Sequence, residues 1–97
     1  MTETTYYTLL SLKENRHGYA IMQFVSDLTE NRIRMGTGTL YTMLGRLVED
    51  EMIRIVSNEN GKKVYHLTEQ GEEILKMELE RLRKQLKNGV DFYVIYS

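Results

Sequence analysis

Between Asn31 and Val48 the chain carries three arginines, Arg32, Arg34 and Arg46, and no acid. Interspersed with them stand Thr37, Gly38, Thr39, Tyr41 and Thr42. A guanidinium donates paired hydrogen bonds to a phosphate or to the O6/N7 edge of guanine, a hydroxyl serves as donor or acceptor, and a glycine lets a backbone come close. On a helix at about 100° per residue, Leu40, Leu44 and Leu47 fall within roughly 60° of one another and form an inner stripe. The opposite arc holds Gly38, Thr39, Thr42, Gly45 and Arg46, with Tyr41 at its edge. A face kept only for solubility more often carries glutamate and lysine, whereas Gly45 costs about 1 kcal/mol of helix propensity relative to alanine. This arc suits entry into a duplex groove, with contacts to phosphates and base edges. Glu49 also points outward, but from the last turn, which in such a helix lies furthest from the bases.

Further cations fit the same chemistry. Arg32 and Arg34 alternate around Ile33 and so share a face. Lys62 and Lys63 follow Asn60-Gly61, a hairpin signal, and sit where a wing touches phosphate or minor groove. The formal net charge of -1 argues at first against a polyanion partner. It is, however, a sum over segregated regions, because Glu69, Glu72, Glu73, Glu78 and Glu80 lie together with only Lys76 among them.

These side chains need elements to hold them. Tyr6, Leu9 and Leu10 define a helix over 3–14 with Thr2 as its N-cap, and Ile21, Met22, Val25 and Leu28 form one face of a second helix over 18–29. Residues 32–35 alternate as a very short strand, and Thr37 caps a third helix running to about Asp50. Residues 52–56 and 62–67 are strands joined by a hairpin. Thr68 caps a long fourth helix of some 20 residues, with Lys84 and Lys87 at its negative end and Asn88-Gly89 as its stop. The order predicts an α+β, mostly α fold: a winged helix-turn-helix over 1–67, then a dimerisation helix and tail over 68–97, in one compact unit.

Leu75, Leu79, Leu82 and Leu86 recur at +4, +3 and +4, a two-heptad seam. A helix of about 30 Å outruns a domain of this size, so the seam is expected to join two copies, with Tyr6 and Leu10 beside it. The tail from Phe92 to Tyr96 is a continuous apolar and aromatic run, expected to pack on the partner or to line an interfacial cavity. Tyr6, Tyr7, Phe92, Tyr93 and Tyr96 are the candidate effector contacts.

Enzyme chemistry finds no support. The chain has no cysteine, and His17 and His66 have no ligand spacing, so neither a metal centre nor a cofactor is expected. Gly36-Thr-Gly38 begins a dinucleotide fingerprint, but Tyr41 takes the place of its third glycine. No signal peptide or membrane span is evident, which predicts a cytoplasmic protein.

His17-Gly-Tyr-Ala-Ile-Met22, Gly38-Thr-Leu-Tyr41 with Leu44, Arg46-Leu47 and Met52-Ile53, and Gly61-Lys-Lys-Val-Tyr65 with Leu67-Thr-Glu-Gln-Gly71 form an ordered set over 17–71. That set resembles the PadR family of bacterial transcriptional regulators, in the short subtype with one helix after the wing. The resemblance implies homodimers that bind near-palindromic double-stranded DNA operators and usually repress. It also implies release, in some members, by small aromatic or drug-like effectors. Thr42 stands where many members have proline, and Glu51 where a glycine usually closes the recognition helix. The chain has no tryptophan, so the indole sandwich of some drug-binding members has no counterpart here. The competing expectation is a winged-helix protein–protein adaptor without DNA binding, which the near-neutral charge would suit.

Overall fold

The computed structural model describes residues 1–96, with side chains through Tyr93. Its elements are α1 (Glu3–Ser11), β1 (Arg16–His17), α2 (Gly18–Leu28), α3 (Thr37–Glu49), β2 (Ile53–Glu59), β3 (Lys62–Leu67) and α4 (Glu69–Tyr96). The sheet is antiparallel in the order β1-β3-β2. This is the winged helix-turn-helix expected from the sequence, with a long helix appended.

Local signals start and turn the elements as expected. The Thr2 hydroxyl accepts from the Thr5 N–H at 3.1 Å, and the Thr68 hydroxyl accepts from the Gly71 N–H at 3.0 Å, satisfying first-turn donors of α1 and α4. Asn60 and Gly61 take φ of 52° and 79°, the left-handed pair of a two-residue hairpin. Glu51 is also left-handed, at φ 59°. The N–H of Met52 reaches the Leu47 carbonyl at 3.0 Å and that of Glu51 the Val48 carbonyl at 3.0 Å, so α3 ends in a Schellman motif with glutamate in the glycine position.

Leu9, Leu12, Ile21, Val25, Leu40, Leu44 and Leu47 are buried against Ile53, Tyr65, Leu67 and Leu75, joining all three N-terminal helices to the sheet and to the start of α4. Gly71 fits because the first turn of α4 lies on the chain leaving α3: a Cβ there would collide with the Met52 carbonyl group.

Four expectations are corrected. Residues 32–35 form no strand, since the N–H groups of Arg32 and Ile33 turn back to the Thr29 carbonyl and hydroxyl at 3.0 and 3.1 Å. The third strand is instead Arg16–His17, in the segment expected to be a polar break, paired with Tyr65 and Val64. The N-cap of α3 is Gly36, with no side-chain bond, and Thr37 is the first helical residue. Leu28 is 52% exposed, outside the inner face of α2, and Phe24 packs on the core there.

A further correction is the length of α4. Asn88-Gly89 does not stop it; the helix continues to Tyr96, 28 residues in all, or about 42 Å. One glycine costs about 1 kcal/mol inside a helix, too little to end a segment supported across it by Lys87 and Asp91, paired at 2.6 Å. Lys84 and Lys87 therefore lie in the helix interior, not at its negative end. Pairs between Glu73 and Lys76, Glu78 and Arg81, and Glu80 and Arg83 support the same helix.

Candidate nucleic-acid interface

The core presents α3 with one face spent and one free. Leu40, Leu44 and Leu47 are buried, at 0%, 1% and 5% exposure, which fixes the rotation of the helix. Thr37, Gly38, Thr39, Thr42, Gly45, Arg46 and Glu49 are all exposed, as the periodicity requires. A Cβ at Gly36, Gly38 or Gly45 would meet nothing, so these glycines leave the surface low and open. Gly36 offers no side-chain cap to the first N–H groups of α3, which lie at the positive end of the helix, the end that favours phosphate.

An open groove of about 810 Å³ runs beside this face, bounded across it by the first turn of α1. Thr2 and Thr5 stand on one wall and Thr39, Thr42 and Arg46 on the other. The contribution of α1 carries no sequence signal, since the 3–14 periodicity reports only the side of the helix that meets its own core.

The other expected contacts separate into groups. Arg34 is exposed, as are Lys62 and Lys63 at the start of β3. Among the described residues, Arg34, Arg46, Lys62 and Lys63 form no ion pair with a carboxylate. Arg32 is different: its two terminal nitrogens donate to the two Glu3 oxygens at 3.0 and 3.1 Å. The guanidinium holds the Glu3 carboxyl below the ordinary glutamate value, and the carboxylate in turn raises Arg32. Arg32 and Arg34 are both exposed on either side of a half-buried Ile33, without the strand expected to give them one face. Tyr41 is half exposed, and its ring packs over Gly18 at the start of α2, which makes it a contact within the helix-turn-helix as well as a residue at the edge of the exposed arc.

One cation was not anticipated. Arg54, exposed on β2 and paired in register with His66, faces away from the core beside the wing. Its position between Ile53 and Ile55 in an alternating strand is a signal that could have found it.

The seam on α4 also divides. Leu75 is 2% exposed and belongs to the core of its own chain, and Leu10 packs half-buried against that core, which limits what either can offer a second copy. Leu79 and Leu86 remain 44% and 68% exposed. The unbroken helix adds Val90 and Tyr93 to the same stripe, at 50% and 73% exposure. Tyr6 and Tyr7 meet edge to face at 5.1 Å where α1 crosses α4, beside Glu78 and Leu82. Burial, with the neighbouring Tyr7 and Glu78 charges, raises the Tyr6 phenol. Tyr93 lies seven residues beyond Leu86, about 10 Å further along α4, so a single chain does not gather the candidate effector residues into one site. Phe92 is also exposed on α4, and the Tyr96 side chain lies outside the described residues. Among the described residues no helix is long and apolar enough to cross a membrane, and no three His, Cys, Asp or Glu side chains are grouped to hold a metal.

Comparison with known proteins places these features in a family. The model of the transcriptional regulator PadR-like family matches residues 7–77. The transcriptional regulator YqjI of Escherichia coli is 33% identical over 70 residues, which cover 72% of this chain and 34% of YqjI, so the chain spans about a third of that relative's length. A PadR-like transcription factor from Bacteroides fragilis superposes with a TM-score of 0.65 at 35% identity, over 91% of this chain and 85% of that one. The structure of Bacillus subtilis PadR in complex with operator DNA superposes with a TM-score of 0.66 at 22% identity, over 78% of this chain and 45% of that one.

Proposed function

The chain belongs to the PadR-like family of transcriptional regulators, and we propose that it acts as a homodimeric, sequence-specific DNA-binding repressor. The observation that carries this reading is the exposed face of α3, where Gly38, Thr39, Thr42 and Arg46 stand opposite a fully buried leucine stripe. Thr39, Thr42 and Arg46 reach base edges and phosphates, the α3 N-terminus and Thr37 hold a phosphate, and Tyr41 borders the groove. Arg34, Lys62, Lys63 and Arg54 anchor the flanking backbone on either side.

Residues 1–67 form the DNA-binding unit and 68–97 the dimerisation segment. Leu79, Leu82, Leu86, Val90 and Tyr93 make an apolar stripe along the part of α4 that extends beyond the body, and a second copy of the same helix covers it. Dimerisation places two α3 helices about 34 Å apart, one turn of DNA. Tyr6, Tyr7, Phe92 and Tyr93 then line the interface, where a small aromatic effector shifts the spacing of the two reading heads. The site acts inside the cell, where DNA is, and by binding alone.

Selection of genomic fragments bound by the purified protein, with sedimentation to give its mass, tests this reading. The expected result is enrichment of a near-palindromic sequence with half-sites about 10 base pairs apart, bound by a dimer. A folded protein that enriches no sequence and shifts no duplex at low salt overturns it and favours the adaptor.

A further inference from the structure

The first turn of α1 brings an acid, Glu3, against the acid-free segment that leads into α3. Glu3 and Arg32, 29 positions apart in the chain, meet fork to fork at 3.0 and 3.1 Å. Both side chains are more than half exposed, so nothing buries the pair, and an exposed pair contributes little to folding. Thr2 and Thr5 of the same turn wall the groove opposite Thr39, Thr42 and Arg46, whereas Glu3 lies on another side of α1, beside Tyr6, Tyr7 and Glu78. A carboxylate thus fills the two-pronged donor face of Arg32 in the acid-free segment that leads into α3. Carboxylate and phosphate are alternative partners for the same guanidinium fork.

We propose that Glu3 is a specificity-determining residue: it occupies Arg32 as an internal substitute for phosphate and so withholds one cation from sequence-independent attraction to the DNA backbone. The proposal rests on the DNA-binding reading above. Each phosphate neutralised by a protein cation adds about 0.9 to the slope of log affinity against log salt. With Glu3 in place, the Arg32–Glu3 unit presents no net charge to an approaching duplex. Without it, Arg32 joins Arg34 and Arg46 as a third uncompensated arginine in the acid-free segment. The neutral total of the chain thereby acquires a local counterpart, a brake built into the interface that favours base contacts over indiscriminate binding.

The test is fluorescence anisotropy with a labelled random-sequence duplex over a salt series, comparing the full-length protein with Glu3→Gln, Glu73→Gln and Arg46→Ala. Glu73 is the matched control, because it is exposed, pairs with Lys76 at 3.7 Å on α4, and its loss changes net charge equally. Glu3→Gln is expected to bind several-fold tighter at low salt, with a slope steeper by about 0.9, while Glu73→Gln follows the parent protein. Glu3→Gln affinity and slope equal to the parent's overturn the brake, and so does an equal gain in Glu73→Gln, which would make the effect one of overall charge. Weakened binding in Arg46→Ala beside an unchanged Glu3→Gln removes the brake and keeps the DNA reading. A parent protein that binds no duplex removes both.

Discussion

The Tyr41 ring lies over Gly18, so close that a Cβ on Gly18 would stand 2.8 Å from Tyr41 Cζ. Gly18 opens α2 and Tyr41 lies in the second turn of α3, so this contact sets how the two helices of the helix-turn-helix meet. Its other flank is Tyr65, whose phenol is raised by burial and by the nearby Tyr41. A residue at the edge of the exposed arc of α3, the proposed DNA-reading face, therefore also holds that arc in place.

Gly18→Ala tests the contact through a double-mutant cycle with Tyr41→Ala. Alone, the added methyl pushes the ring outward and is expected to destabilise by about 1 kcal/mol. In the Tyr41→Ala background the collision is gone, and alanine is expected to stabilise by up to about 0.5–1 kcal/mol through better helix propensity. Urea unfolding of the four proteins gives the coupling, and additivity would refute the packing argument.

Glu51→Gly is expected to raise stability. Glu51 closes α3 in the left-handed region, where a side chain costs roughly 1–2 kcal/mol and glycine costs none, although glycine gives some of that back as backbone entropy. A net gain of about 1 kcal/mol, or about 4–8 °C in melting temperature, should appear in calorimetry. The glutamate departs from the family's glycine in residue type while reproducing its backbone, so DNA binding should be unaffected.

Arg46→Ala should weaken binding to the selected operator by roughly 1–3 kcal/mol, about 5- to 100-fold, and relax preference at one base position if the side chain reads guanine. Arg46 is exposed and forms no ion pair among the described residues, so the melting temperature should hold. Competition gel shifts with operator variants separate loss of a base contact from loss of a phosphate contact.

Leu86→Glu should dissociate the proposed dimer and leave the protomer folded. Leu86 is 68% exposed within one chain, so a carboxylate there disturbs nothing but a partner. Sedimentation should give a monomer, and the melting temperature should lose its dependence on protein concentration. Leu75→Glu is the contrasting change: at 2% exposure it strikes the core and should unfold the chain.

The sequence alone determined whatever acts within a few residues of itself. The leucine stripe and exposed face of α3, the Asn60-Gly61 turn and the Thr2 and Thr68 caps rest on helical periodicity, backbone conformational preference and hydrogen bonds spanning about three residues. Tertiary structure decided the rest, because it depends on which distant segment offers a partner. Arg16–His17 became a strand only because β3 had a free edge, while residues 32–35, with the better alternation, had none and folded back on Thr29. Gly89 read as a stop from its residue type, but its cost was too small to break a helix supported from both sides. Arg32 counted as one of three bare cations until α1 brought Glu3 against it. The neutral charge of the chain follows from composition, whereas which arginines are compensated is settled by the packing of α1 against the loop before α3.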